Sequence, residues 1–283
     1  APLTLGWKDL RQHGSATQEQ AARAIAAEAA QPFDLAHGPL LRASVLQLAE
    51  QEYVLLLTLH HIVHDGWSTA ILLRELSALY AECRQIRADG IDPATLAPAA
   101  LQAQVLAPLP LHYPDYAIWE QQRFADALLA PDLGFWRDNL AGIPALLALP
   151  TDRVRPALMS HHGAAFQAGI DAALLQQLQA LAHQHNATLF MVLTAAMQVL
   201  LARLSGQSHF CIGALSANRP PEAAGLIGNF VNVVPLKAAV NSADSFADLL
   251  GATARNVLAV YERQLPFELI LNHLAPQRGG SST

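Results

Sequence analysis

Three histidines and an aspartate fall within the run His60-His61-Ile62-Val63-His64-Asp65, and Gly66 follows. Imidazole is the side chain that exchanges a proton near neutral pH, so an adjacent pair suits proton transfer at a reacting group. A neighbouring carboxylate can orient an imidazole as in a catalytic triad, or simply cap the backbone where it turns. Metal ligation is the competing chemistry, because His60 and His64 are spaced i, i+4. That spacing aligns two ligands only on a helix, and the metallohydrolases that use it add a glutamate to activate water. Here the first histidine ends a strand, so no metal site is expected. A second pair, His161-His162, lacks the following Asp-Gly and is set aside.

The elements that must hold this run are legible on either side of it. Tyr53-Val54-Leu55-Leu56-Leu57-Thr58-Leu59 is a short apolar stretch that predicts a strand buried on both faces. After Gly66 the pattern changes to an amphipathic helix reaching about Arg87, with Ser68 as its expected N-cap and Leu72, Leu76, Leu79 and Cys83 along one stripe. Polar residues therefore begin at the C-terminal end of a core strand, a usual place for sites in α/β proteins.

Upstream, an irregular opening stretch leads into a helix from Thr17 to about Ala30, and Leu41 to Leu48 pairs with Glu52 to Leu59 as a hairpin. Residues 88–111, rich in Ala, Pro and Leu, form a surface excursion, and helical segments follow over Tyr116 to Ala130 and Phe135 to Leu140. Pro144, Pro150 and Pro156 mark residues 144–156 as a linker between an N-terminal lobe, 1–143, and a C-terminal lobe, 157–283. The second lobe is expected to open with a strand over Ala164 to Ile170. Helices then run from Asp171 and from Thr188, strands cover His209 to Ala214 and Val231 to Leu236, and a last helix runs from Ser245 to about Tyr261. Alternating strands and helices indicate α/β layers.

The pattern HHxxxDG, continued by Trp67-Ser68, resembles the core motif of the condensation domains of nonribosomal peptide synthetases, relatives of chloramphenicol acetyltransferase. Further matches follow in that family's order: Pro32-Phe33-Asp34-Leu35, Gly38-Pro39-Leu40-Leu41-Arg42, Tyr113 to Trp119, Phe135-Trp136, Leu149 to Arg153, Ala217-Asn218-Arg219-Pro220, Ile227 to Asn232 and Pro266-Phe267-Glu268. Glu262-Arg263-Gln264 departs from the family's usual His-Gln-Asp run. The resemblance implies two chloramphenicol acetyltransferase-like lobes in a V-shaped pseudo-dimer with a tunnel between them. It also implies that the chain is truncated at both ends.

By resemblance, the activity is acyl transfer: amide formation between a carrier-protein-bound acyl or peptidyl thioester and a carrier-protein-bound aminoacyl acceptor. His61 is then the catalytic imidazole, as general base or as positioner, with His60 supporting it and an N–H near Gly66 stabilising the oxyanion. Asp65 is expected to be structural, paired with Arg219. Trp67, Ser68, Asn229 and Asn232 are candidate channel residues, and His64, at a variable position, is incidental. The expected partners are upstream and downstream peptidyl carrier proteins and an adjacent adenylation domain, with substrates on phosphopantetheine and no cofactor bound by the domain itself. Two alternatives stand beside this: a starter domain that N-acylates the first amino acid with a fatty acyl group, and a noncatalytic module that docks carrier proteins or tailoring enzymes.

Composition excludes other classes. With 52% apolar and 14% charged residues over 283 positions the chain can bury a large core, and a net charge of −6 argues against binding nucleic-acid phosphates. Two cysteines make no disulfide framework, no signal peptide is visible, and no apolar run approaches the roughly 18 residues of a membrane span. A cytoplasmic location and no membrane span are expected.

Overall fold

The alternation over residues 41–59 closes into an antiparallel hairpin in this computed structural model, which describes residues 3–124, 130–154, 156 and 163–274. β2 (Leu41–Gln47) pairs with β3 (Tyr53–Leu59), and β1 (Leu5–Asp9) joins β2 in parallel, giving the order β1-β2-β3. The opening stretch is thus a strand rather than irregular chain. Its partner is more than thirty residues away, so no local turn announces it. Helix α1 (Thr17–Ala29) packs through Ala21 and Ala24 on Leu46, Val54 and Leu56. The opposite face of β3 is uncovered there, with Tyr53 50% and Leu55 44% exposed, so the strand is not buried on both faces as its apolar run suggested. Among the described residues it is an outer strand with α1 packed on one side.

Helix α2 (Gly66–Ala88) starts directly after the histidine run, and α3 (Pro98–Val105) and α4 (Tyr113–Arg123) follow. The 88–111 excursion therefore contains a helix, begun where Pro98 stands at its first turn. Of the helix expected to reach Ala130, residues 125–129 lie outside the described part, as do His161 and His162.

The remaining elements are α5 (Ala130–Asn139), α6 (Ala172–Gln184), α7 (Leu189–Ser205), β4 (His209–Ser216), β5 (Asn232–Ala239), α8 (Phe246–Glu262) and α9 (Phe267–Leu274). Asp171, Thr188 and Ser245 cap α6, α7 and α8 with their side chains, and Gly206 ends α7 at φ 71°. β4 and β5 pair antiparallel. No pairing is found for Ala164 to Ile170, which is exposed, so the strand expected there does not form among the described residues. Trp136, Val192, Leu236, Leu250 and Val260 make the dry centre of this half, with the Trp136 indole donating to the Arg263 carbonyl at 2.8 Å. Among the described residues no single helix is long and apolar enough to cross a membrane.

Contacts divide the chain differently from the proline-based boundary. One compact unit holds residues 1–119 together with 217–231; the other holds 120–216 and 232–283. Burial of Trp136 in the second unit's core draws α5 away from the N-terminal half, and Gln207 clips the expected linker to that unit through Leu146 and Ala148. The segment 217–231 instead returns to the first unit, where Tyr116, Ala223, Leu226 and Phe230 form a small core. A Cβ on Gly228 would overlap the Tyr113 ring. That ring is held by its hydroxyl on the Asn229 carbonyl at 2.8 Å and by Phe230, so it cannot swing aside. Gly228→Ala is accordingly expected to destabilise the first unit by about 1–3 kcal/mol, the usual overpacking cost, read as a lowered thermal or urea midpoint.

Candidate functional site

The histidine run occupies a sharp turn between β3 and α2. His60 ends the strand in extended conformation and caps a single 3₁₀ turn, His61–Val63: its Nδ1 accepts from the Ile62 N–H at 3.1 Å, and its own N–H donates to the Leu40 carbonyl at 3.0 Å. Accepting at Nδ1 places the neutral ring's proton on Nε2. Phe33 meets the His60 ring edge-on at 5.7 Å and carries Arg42 on its face at 4.0 Å. Arg42 is fixed by Glu28 at 2.6 Å and by backbone carbonyls of Glu28 and Gln31. The Pro-Phe-Asp-Leu and Gly-Pro-Leu-Leu-Arg segments thus converge under the first histidine.

His61 is exposed, and its imidazole makes no hydrogen bond among the described residues. Its ring neighbour is His64, with centroids 5.3 Å apart and planes at 45°. His64 is partly buried, and its Nδ1 is enclosed without a partner among the described residues.

Asp65 is the anchor. Only 2% exposed, it caps α2 by accepting from the Ser68 N–H at 2.8 Å, so the cap is Asp65 and not Ser68 as the pattern suggested. An aspartate in extended backbone reaches the third helical N–H, whereas Ser68 is already inside the first turn. Arg219, also 2% exposed at its side chain, brings Nη2 within 3.0 Å of both Asp65 oxygens, and the Phe230 N–H donates to Oδ2 at 3.1 Å. Nη1 of Arg219 is used by the carbonyls of Ala223 and Leu226, and its guanidinium lies 3.9 Å from the Phe230 ring centre.

Ser68 is the hub between these segments. Its hydroxyl lies 2.7 Å from Asp65 Oδ1 and 2.8 Å from the Gly228 carbonyl, and accepts from the Gly228 N–H at 3.0 Å and from Arg219. At 1% exposure it faces protein rather than a channel. Trp67 is 53% exposed with its indole N–H on the Ala224 carbonyl, so most of its ring is open to solvent.

The two asparagines separate. Asn229 lies in the returning segment with Oδ1 enclosed and, among the described residues, unpartnered. Asn232 belongs to the second unit, where Nδ2 donates to the Leu265 carbonyl and Oδ1 accepts from the Phe267 N–H. Both ends of that buried amide are spent on backbone, which corrects its reading as a channel residue.

Gly66 begins α2. A Cβ there would meet no heavy atom within 4 Å, so the fold does not demand glycine, and the first N–H groups of a helix have no intrahelical acceptor. The arrangement offers an accessible imidazole, open space before a helix N-terminus, and a carboxylate committed wholly to structure. Asp65 contacts no histidine ring among the described residues, which removes the triad-like orienting role.

The sequence model of the condensation domain matches residues 2–91 and 94–283. The chain belongs to the condensation domain family. Malpibaldin synthetase of Mortierella alpina is 41% identical over 255 residues, 89% of this chain but 4% of that protein. A solved complex of the X-domain and OxyB from teicoplanin biosynthesis is similar with a TM-score of 0.80 at 28% identity, covering 100% of this chain and 59% of that one. The first condensation domain of the calcium-dependent antibiotic synthetase, solved with a substrate analogue, shares the fold with a TM-score of 0.68 at 21% identity, over 97% of this chain and 57% of that one. The chain therefore spans under two thirds of these relatives.

Burial alone would raise the Asp65 carboxyl, but the Ser68 N–H and hydroxyl, the Phe230 N–H and Arg219 outweigh it and hold the group below the ordinary aspartate value. Its folded-state pKa being the lower, its contribution is complete above the ordinary value and is lost as pH falls through the lowered one. Asp65→Ala and Arg219→Ala should each cost about 3–5 kcal/mol, since either leaves an unpaired buried partner. The double variant should fall short of additivity by about 0.5–3 kcal/mol in a denaturation cycle, and in acid titrations the stability difference between parent and Asp65→Asn should shrink as pH drops below the ordinary aspartate range.

Proposed function

We propose that this condensation domain catalyses amide formation, transferring an acyl or peptidyl group from the phosphopantetheine thioester of one carrier protein to the amine of an aminoacyl group on another. The observation that carries this reading is His61: an accessible imidazole with no hydrogen bond among the described residues, on a turn fixed at one end by His60 and at the other by Asp65. The neutral amine nitrogen attacks the thioester carbonyl carbon, forming C–N. His61 accepts the proton that the nitrogen then sheds, and collapse breaks C–S and releases the thiol, which takes that proton. Proton transfer of this kind typically contributes about 10²–10⁴-fold. The open space at Gly66 leaves room for the carbonyl oxygen near the α2 N–H groups. Carrier proteins on both sides and an adenylation domain are the partners this chemistry requires.

A second reading, a module that docks another protein without chemistry, is favoured by similarity to an X-domain solved with OxyB. The intact run His60-His61 with Asp65-Gly66 weighs toward catalysis.

His61→Ala should reduce dipeptidyl formation between loaded carrier proteins by at least about 10²-fold, judged by mass spectrometry of the products, with an unchanged melting midpoint because the side chain is exposed and unbonded. Turnover near the parent's would remove His61 from the chemistry, whereas a parent that itself forms no dipeptidyl product would transfer the chain to the docking reading. Gly66→Ala should likewise fold normally, since nothing crowds the added methyl, yet lose turnover.

A further inference from the structure

Among the described residues, the imidazole assigned to chemistry lacks what such groups usually have, a hydrogen-bonded orienter. Asp65 cannot serve, because its two oxygens are taken by Ser68, Phe230 and Arg219. What touches the His61 ring is His64, whose own ring lies 5.3 Å away at 45°. His64 is well placed to be rigid: it immediately precedes the buried Asp65, and its extended backbone, φ −155° and ψ 158°, carries the chain from the 3₁₀ turn into that anchor. Its enclosed Nδ1 has no hydrogen-bond partner among the described residues. Burying an unpaired polar atom is unfavourable, and a purely structural residue here would be better as a hydrocarbon ring.

We propose that His64 is a positioning residue: its partly buried ring packs against the His61 imidazole and restricts it to the orientation used at the reacting amine. This rests on the catalytic reading of His61 and extends it to a residue outside those that define the pattern. The contact is one of tilted rings, and among the described residues no hydrogen bond joins the two imidazoles. Misplacing a reacting group by about 1 Å can cost about 10²-fold in rate, so even a loosened ring is kinetically visible.

The test combines two readouts on His64→Ala and His64→Phe. With ring-labelled histidine, the His61 Cε1 resonance should show faster internal motion in His64→Ala and parent-like order in His64→Phe. With loaded carrier proteins, His64→Ala should lower kcat by at least about tenfold with KM unchanged, and His64→Phe should restore most of it. The melting midpoint of His64→Phe should equal or exceed the parent's, because an unpaired nitrogen is removed. Unchanged His61 ring relaxation in His64→Ala, or loss of turnover in His64→Phe with the ring still ordered, would overturn the assignment. If His61→Ala proved fully active, the catalytic reading would fall on its own, while the relaxation data would still report whether His64 restrains the ring.

Discussion

A single buried ion pair organises the first unit. Asp65 and Arg219 stand 154 positions apart, yet both are almost fully removed from solvent and each is supplied with further hydrogen bonds: Ser68 and Phe230 to the carboxylate, the Ala223 and Leu226 carbonyls to the guanidinium. Two charges out of water are tolerable only with such geometry, and an apolar pair of equal volume often does no worse for stability. The pair's distinctive effect is on placement. Residues 217–231 bring Arg219, the Gly228 peptide and the Phe230 N–H together at the start of α2.

That placement explains why the segment abandons the half of the chain it interrupts. β4 ends at Ser216 and β5 begins at Asn232, and the intervening residues fold into the other unit. Gly228 admits the Tyr113 ring, Tyr113 bonds the Asn229 carbonyl, and Phe230 takes Arg219 on its face. Asn232 then fixes the start of β5 to the Leu265–Phe267 turn within the second unit. The change of unit occurs within a few residues.

The site is accordingly built by backbone and not by a charge relay. Asp65 fixes where α2 starts, His60 fixes the turn before it, and His61 stands between the two with an unbonded ring beside His64. A carboxylate spent on an arginine cannot also orient an imidazole. Among the described residues, what lies against the His61 ring is the ring of His64.

Residue order alone carried the local part of this architecture. The helix starts at Asp171, Thr188 and Ser245, the hairpin of residues 41–59, the turn after Leu59 and the residue types at His60, His61, Asp65 and Gly66 were legible because each depends on neighbours within a few positions. The motif order along the chain also carried the family. Composition and periodicity could not show that Leu5–Asp9 is a strand, because its partner is distant. Nor could they show that Ala164 to Ile170 is not one, because a strand exists only through a partner. The cap at α2 moved from Ser68 to Asp65, and Ser68 became a hub, once Arg219 and Gly228 arrived from the far half of the chain. The division into units likewise followed burial of Trp136 and the return of residues 217–231, not the prolines. Tertiary structure decided these because burial and ion pairing join residues whose separation in sequence leaves no periodic trace.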